Sequence, residues 1–262
     1  MQRSFQFNLQ ISKMKIPTIK GTIERRILIN YQVDKDVIAD YLPHPFRPKL
    51  VNDKAIAGIC LIRLKEIRPK GLPAAIGISS ENGAHRIAVE WTEDGQIKEG
   101  VYIPRRDTSS RLNSLAGGRI FPGVHHLADF TVEESDGKYT VAFKSEDGTT
   151  LAITAQETNA WNQESIFDCF ADASAFLKRG AVGYSPGKEG VQFDGLELNT
   201  EKWEVSPLTV TNVQSSFFED ETIFPKGSVK FDNALLMKSI EHEWKSLKEI
   251  RNSSPNSAGE NR

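Results

Sequence analysis

Cysteine is scarce in this sequence, where Cys60 and Cys169 are the only two among 262 residues. Both lie in apolar contexts, AGICLI and FDCFA, so a disulfide framework of the kind that staples small secreted domains is not expected. The sequence also lacks an apolar run of about 18 residues, the length that a membrane-spanning helix needs. Its first residues alternate between polar and apolar side chains and lack the apolar centre of a signal peptide. These absences predict a reduced, soluble, cytoplasmic protein.

An excess of positive charge is lacking as well. The formal net charge is −2 and the pI is near 6.3, which argues against nucleic acid as a partner. No phosphate-binding loop of the G-x-x-x-x-G-K-[ST] type occurs, and no glycine-rich turn of the dinucleotide-binding type. The sequence therefore predicts no nucleotide cofactor, no nucleic-acid partner and no membrane partner.

Two short motifs suggest chemistry that their context does not support. His125 and His126 could serve as metal ligands, but adjacent strand residues point to opposite faces, so no metal is expected there. GYSPG at 183–187 matches the G-x-S-x-G pattern of serine hydrolases, in which the residue after the serine donates its backbone N–H to the oxyanion. Here that residue is Pro186, which has no N–H. The motif is therefore interpreted as a turn.

Period-two alternation predicts that most of the ordered chain is strand. GTIERRILINYQV alternates through Ile27, Ile29 and Tyr31, KAIAGICLIRLKEI is apolar enough for a central strand, and AHRIAVEW and EGVYIP add two more. Three later alternating runs are separated by SDG at 135–137 and EDG at 146–148, which predicts a three-stranded antiparallel meander.

Helical patterns are fewer. DKDVIADYL and DTSSRLNSLAGG predict short helices. SIFDCFADASAFLKRG predicts a longer one, with a capping box that begins at Ser165 and with Ile166, Phe170, Ala173 and Leu177 on one face. Strands outnumber helices and are joined mostly by hairpins. The predicted fold class is therefore α+β, with a large, mostly antiparallel sheet that can curl into a barrel.

No internal repeat or linker divides the chain. We expect one domain over residues 15–250, an N-terminal extension at 1–14 and a disordered, polar tail at 251–262.

Two segments, SSENGAHRIAVEW and YIPRRD, concentrate polar side chains where a buried sheet should be apolar. Their polar members include Glu81, His85, Arg86, Glu90, Tyr102, Arg105, Arg106 and Asp107. Alternation along YIPRRD places Arg105 on the face of Val101 and Ile103, and Arg106 on the other face. An arginine that points into a barrel needs a counter-charge, which Glu81 or a bound anion could supply. Which of the two arginines faces the interior is left open.

The run from NYQVDKDVIADYLPHPFRP to GAHRIAVEW, followed by GVYIPRRDTSSRLNSLAGGRIFPG, resembles the YqjF-like family of uncharacterised bacterial proteins. ASAFLKRGAVGYSPGKEG, LELNTEKWEV and FPKGSVKFDNALLMKSIEHEW resemble the same family, so the resemblance spans residues 15–245. That family is grouped with the acetoacetate decarboxylase-like superfamily. The resemblance implies a cone-shaped antiparallel β-barrel with flanking helices, and assembly into a homo-oligomer.

The resemblance also implies a difference in chemistry. In the decarboxylase a lysine pair follows a proline at a strand end, the first lysine forms a Schiff base with the β-keto acid, and a glutamate lies in the pocket. By motif order the lysine pair falls on Arg105 and Arg106, and the glutamate falls on Glu81. Arginine stays protonated and is no comparable nucleophile, so decarboxylation by that route is not expected. A further pocket arginine of the decarboxylase falls near Arg25 or Arg26, with the register unresolved between them.

We therefore expect a pocket that binds a small organic acid, such as a keto acid, through Arg105. Glu81 and His85 are the candidates for acid–base catalysis, and Tyr102, Arg106 and Asp107 are expected to form the rest of the site. The alternative is a structural or interaction protein, in which Arg105, Arg106, Glu81 and Glu90 form a buried ion network. A binding arginine should border a cavity with donors to spare, whereas a structural one should be sealed and fully paired.

Overall fold

Most of the chain folds into strands of one sheet. The computed structural model describes residues 17–116, 123–187 and 190–251. The strands are β1 (Ile19–Asp34), β2 (Arg47–Pro48), β3 (Leu50–Val51), β4 (Lys54–Pro69), β5 (Ile78–Glu93), β6 (Gln96–Thr108), β7 (His125–Ser135), β8 (Lys138–Ser145), β9 (Thr150–Glu157), β10 (Val182–Pro186), β11 (Gln192–Thr200), β12 (Ser206–Ser215), β13 (Val229–Ser246) and β14 (Ile250–Arg251). The helices are α1 (Lys35–Tyr41), a 3-10 turn (Ala74–Ile76), α2 (Arg111–Ala116) and α3 (Phe170–Lys178).

The sheet is mostly antiparallel and curls strongly. Among the described strands only the pairings of β6 with β7 and with β10 are parallel. Because β6 also pairs with β5, the ladder runs from β6 through β7, β8, β9, β12, β13, β1, β4 and β5 and returns to β6. The predicted large, mostly antiparallel sheet and the meander of β7, β8 and β9 are confirmed.

A second set of strand pairings connects β6 to β13: β6 pairs with β10, β10 pairs with β11, and β11 pairs with β13. The strands β1, β4, β5 and β6 are therefore covered on both faces. One face packs into the main apolar core, which includes Ile29, Ile59 and Ile87, and the other face packs Leu28 and Cys60 towards α3. This double burial explains why KAIAGICLIRL is apolar at nearly every position instead of at alternate ones.

Two local predictions need correction. Helix α3 begins at Phe170, with Cys169 as its N-cap residue, so the predicted capping box at Ser165 does not start it. Ser165 instead donates to the buried carboxylate of Asp232 at 2.8 Å. The segment 183–187 is not an isolated turn, because Gly183 to Pro186 lie in β10 and Pro186 sits opposite Phe193 of β11.

In the described part of the chain, no helix combines the length and the apolar character needed to cross a membrane. The predicted N-terminal extension at 1–14 and most of the tail at 251–262 lie outside the described residues.

Candidate functional site: a cavity bordered by three arginines

A β-bulge in β6 decides which arginine faces which side of the sheet. His85 of β5 lies opposite Arg105, but Ile87 lies opposite Tyr102, so one residue of β5 faces two residues of β6. Arg86 of β5 is therefore opposite both Ile103 and Pro104 of β6. Proline has no N–H to donate to the neighbouring strand, which favours a bulge at this point. The bulge shifts the alternation by one residue beyond it. The prediction that Arg105 shares a face with Val101 and Ile103 is therefore wrong.

Beyond the bulge, Arg106 shares a cavity with Val101 and Ile103. The cavity has a volume of about 110 Å³ and lies between the shared wall of β1, β4, β5 and β6 and the bridging strands β10 and β11. Its polar side chains include Arg26, Cys60, Asn82, Arg86, Arg106 and His125. Its apolar side chains are Ile62, Leu64, Ala84, Val101, Ile103, Ala181, Leu196, Leu198 and Trp244.

Strand register places the arginines around Cys60. Cys60 of β4 pairs with Ala84 of β5, and Ala84 pairs in turn with Arg106 of β6. Arg86 follows Ala84 by two residues, so it lies on the same face of β5. The small side chain of Ala84 leaves open the space between the thiol and the Arg106 guanidinium. Arg26 of β1 approaches from the other side and donates from Nη2 to Cys60 Sγ at 3.3 Å.

The three arginines have no carboxylate partner among residues 17–116, 123–187 and 190–251. Arg106 Nε donates to Ser185 Oγ at 3.3 Å, and Arg86 Nη2 donates to Asn30 Oδ1. Burial lowers the pKa of Arg106 to about 10 and also lowers the pKa of Arg86. The cavity thus concentrates cationic side chains that form no ion pair with any carboxylate of the described residues.

Burial by itself raises the pKa of the Cys60 thiol. The charges of Arg26 and Arg86, together with the hydrogen bond from Arg26 to the sulfur, outweigh that effect and leave the pKa below its ordinary value. Burial and the charge of Arg106 lower the pKa of the nearby His125 to about 3, so its imidazole is neutral at physiological pH. The cavity therefore holds three cations and a thiol whose ionised form is favoured.

Arg105 lies on the opposite face from the cavity, in an ion network. Its Nη2 donates to Asp107 Oδ1 at 2.6 Å and its Nη1 to Asp147 Oδ2 at 2.6 Å. Asp107 is fully buried, borders the cavity, and accepts a further bond from Ser145 Oγ at 2.6 Å. Arg105 is thus mostly buried, and each of its guanidinium nitrogens is paired with a carboxylate, so it has no donor to spare for a ligand.

Glu81 belongs to a second network on that opposite face. It accepts hydrogen bonds from Arg25 Nη2 at 2.5 Å and from Arg63 Nε, and both arginines also bind Glu134. Glu90, the other acidic member of the predicted network, pairs instead with Arg47 at the surface, at 3.3 Å. Two separate networks therefore replace the single one that the alternative interpretation assumed, and Arg106 is in neither.

His85 and Tyr102 also lie away from the cavity. His85 is fully buried, 4.5 Å from the ring of Phe217, with its Nδ1 3.7 Å from Asp107 Oδ2. Burial and the charge of Arg105 lower the pKa of His85 to about 3, so it is neutral. Tyr102 packs against Phe46 and Phe193 in the main core. The structure thus groups His85, Arg105 and Asp107, and places Tyr102 and Glu81 elsewhere.

Sequence reasoning did not select Cys60 or Arg86 as site residues and left Arg26 undecided. Cys60 is hidden in an apolar run, and the three residues come from three strands far apart in the chain. The sequence pattern that could have grouped them is strand alternation, which predicts the face of the sheet on which each residue lies. Arg26, Cys60 and Arg86 all alternate with residues of the main core, namely Ile27, Ile59, Leu61 and Ile87.

Comparisons with known proteins agree on the fold. The structure resembles acetoacetate decarboxylase from Legionella pneumophila, with a TM-score of 0.56 and 13% identity over 88% of this chain and 87% of that one. It resembles an acetoacetate decarboxylase-like enzyme from Sphingomonas wittichii RW1, with a TM-score of 0.55 and 10% identity over 94% of this chain and 97% of that one. It also resembles the enduracididine biosynthesis enzyme MppR complexed with pyruvate, with a TM-score of 0.55 and 11% identity over 94% and 95% of the two chains.

These likenesses confirm the acetoacetate decarboxylase-like fold, and at such identities they concern the fold alone. No curated protein matches the sequence. The finer YqjF-like grouping stays a prediction. A family profile does match residues 21–236, which include the strands that form the shared wall of the cavity. The chain therefore belongs to the DUF2071 family, described as an uncharacterized conserved protein (COG2071).

Proposed function

We propose that the arginine cavity binds a small organic acid through Arg26, Arg86 and Arg106. One observation carries the proposal: three guanidinium groups border one cavity, and no carboxylate of the described chain pairs with them. A buried charge without a counter-ion costs several kcal/mol, even after the protein relaxes around it. A bound carboxylate removes that cost, and guanidinium groups match carboxylates in planar, bidentate geometry.

The size and the walls of the cavity limit the ligand. A cavity of about 150 Å³ accommodates benzene, so the observed volume of about 110 Å³ suits a molecule of roughly four to six non-hydrogen atoms. Val101, Leu196 and Leu198 supply an apolar wall, which favours an organic acid over an inorganic anion. A keto acid meets these requirements, and the pyruvate complex of the structurally similar MppR supports that choice.

Schiff-base decarboxylation is not part of the proposal. None of the described residues that line the cavity is a lysine. The resemblance places the lysine pair of the decarboxylase on Arg105 and Arg106, and a guanidinium does not form a Schiff base. The proposed function is therefore recognition of the acid, with any turnover relying on other groups in the cavity.

The alternative function, a purely structural role for the charged cluster, describes Arg105 and Glu81 well. Both are paired in networks that tie separate strands together. It does not describe Arg106, whose one side-chain hydrogen bond among the described residues is to the neutral Ser185. The two roles thus separate onto opposite faces of the sheet.

Thermal unfolding with and without a panel of small carboxylates, keto acids and phosphates tests the proposal. A ligand present at ~100 times its dissociation constant should add about 2.7 kcal/mol, or roughly 5–10 °C in Tm for a chain of this size. The Arg106→Gln variant should lose this response. Its own stability should be equal or higher, because the substitution removes an unpaired buried charge.

The Arg105→Gln variant is the matched control. It replaces the neighbouring arginine and should lower the Tm of the protein without ligand. The rise in Tm on adding a carboxylate should be the same as in the wild type. If no small acid stabilises the wild type, or if Arg106→Gln responds as the wild type does, the cavity does not bind acids through Arg106.

Filling the cavity gives an independent check. Ala84 lies between Cys60 and Arg106, so Ala84→Leu should occupy the space proposed for the ligand and abolish the carboxylate response. Its own stability should change by less than about 3 kcal/mol, since the added atoms enter existing space. Isothermal titration with the stabilising acid measures the loss. Undiminished affinity in Ala84→Leu would place the ligand elsewhere.

A further inference from the structure

Cys60 occupies an unusual position for a buried cysteine. It is 6% exposed, lies in the middle of β4 and borders the arginine cavity. The Arg26 guanidinium donates to its sulfur at 3.3 Å, and the Arg86 guanidinium lines the same cavity. A packing cysteine needs neither neighbour, because a thiol buried among apolar groups stays protonated and inert. The surroundings of Cys60 favour the thiolate, which is the nucleophilic form.

A second observation supports a ligand site beside this thiol. The Arg86 side chain borders the cavity and is 5% exposed, yet its Nε has no hydrogen-bond partner in the described part of the chain. Arg26 Nε is likewise without a partner there. Buried donors on guanidinium groups are normally satisfied, so cavity-lining arginines with unsatisfied donors favour an anionic occupant. That occupant would lie next to the sulfur.

We infer that Cys60 is a nucleophile that attacks the carbonyl carbon of a 2-oxo acid held in the cavity by Arg26, Arg86 and Arg106. The inference rests on the proposed function, and it adds a covalent step and a substrate class to it. The carboxylate of the ligand binds guanidinium groups, and its neighbouring ketone carbon is the electrophile within reach of the sulfur.

The step is balanced without another reagent. A lone pair of the thiolate sulfur forms the S–C bond, and the π electrons of the C=O bond move onto its oxygen. The negative charge passes from sulfur to that oxygen, so no proton, oxidant or leaving group is required. The product is a thiohemiketal alkoxide, and guanidinium groups already in place stabilise its charge. The reverse step expels the thiolate and frees the ligand.

Alkylation of the full-length protein tests the reactivity of Cys60. Iodoacetate carries a negative charge and iodoacetamide does not, so their rate ratio reports the charge around each thiol. Cys169 is an internal control, because it is exposed and its sulfur lies 3.1 Å from the Asp172 carboxylate. Peptide mass spectrometry should show an iodoacetate-to-iodoacetamide ratio at Cys60 at least about tenfold higher than at Cys169, since focused fields raise local anion concentrations by that order.

The Arg26→Gln variant should lower that ratio at Cys60 and leave Cys169 unchanged. Equal ratios at the two cysteines would overturn the inference. So would a Cys60 that resists both reagents in the folded protein and reacts only after denaturation, because such a thiol would be sealed from ligands.

The covalent step has its own readout. Pyruvate labelled with ¹³C at the ketone carbon should give a new tetrahedral-carbon signal with the wild type and none with Cys60→Ser. Cys60→Ser should still be stabilised by carboxylates, because the arginines remain. If the wild type gives no such signal while carboxylates stabilise both proteins, the covalent inference fails and the proposed function stands. If carboxylates stabilise neither protein, the proposed function itself fails.

Discussion

Replacing Arg105 by glutamine is expected to lower the free energy of unfolding by about 3–5 kcal/mol, the usual cost of removing one partner from a buried ion pair. Asp107 is fully buried, and its Oδ1 accepts hydrogen bonds from Arg105 Nε at 3.0 Å and from Arg105 Nη2 at 2.6 Å. Without the guanidinium, the buried Asp107 carboxylate loses its counter-ion and keeps only the hydrogen bond from Ser145 Oγ. Urea unfolding at neutral pH, with the midpoint and slope both fitted, measures the change.

Arg106→Gln is the matched control for this prediction. The two substitutions are chemically identical and one residue apart, so sequence position cannot explain a difference between them. We expect Arg106→Gln to unfold at the same urea concentration as the wild type or at a higher one. Equal destabilisation by both substitutions would show that the bulge in β6 does not separate their environments, and would contradict the assignment of faces.

Acidification from about pH 7.5 to about pH 5.5 is expected to cost about 3 kcal/mol of stability through two buried histidines. Burial lowers the pKa of His85 from 6.5 to about 3 and that of His242 from 6.5 to about 4. Within this interval the folded protein keeps both imidazoles neutral, whereas the unfolded chain protonates them. The unfolded state therefore binds more protons, and stability falls as the pH drops through 6.5 and continues to fall towards the folded pKa values. Each histidine contributes about 1.4 kcal/mol over this interval.

Urea unfolding across this interval, repeated on His85→Gln and His242→Gln, separates the two contributions. Each variant should lose its own share of about 1.4 kcal/mol, because a neutral amide does not titrate. Burial and the charge of Arg106 also lower the pKa of His125 to about 3, so its imidazole adds a further pH dependence that both variants retain. A free energy of unfolding that is equal at both pH values would show that these imidazoles are hydrated in the folded state.

Local patterns were sufficient for most of the secondary structure. Alternation in GTIERRILINYQV and AHRIAVEW, and the hairpin turns at 135–137 and 146–148, predicted strands and the meander that the structure confirms. Those signals depend on neighbours in the chain, which is why they can be read from it. The start of α3 was misplaced because Ser165, a good capping residue, binds Asp232, which lies far away in sequence.

Only part of the candidate site could be predicted from local sequence patterns. The sequence drew attention to YIPRRD and to the arginine pair, and the cavity does contain one of the two. It did not show that Arg106 is that one, since alternation was assumed to continue through Pro104. Arg26, Cys60 and Arg86 could not be grouped, because their proximity depends on the register of β1, β4 and β5.

By itself the sequence determined the residue types available for chemistry: arginines follow Pro104 in YIPRRD, and the cysteines stand in apolar contexts. Tertiary structure alone decided where these groups point. A single extra residue in β6 moved Arg105 into an ion network and Arg106 into a cavity. The physical reason is that side chains of a strand alternate with period two, so one bulged residue exchanges the faces of every residue beyond it.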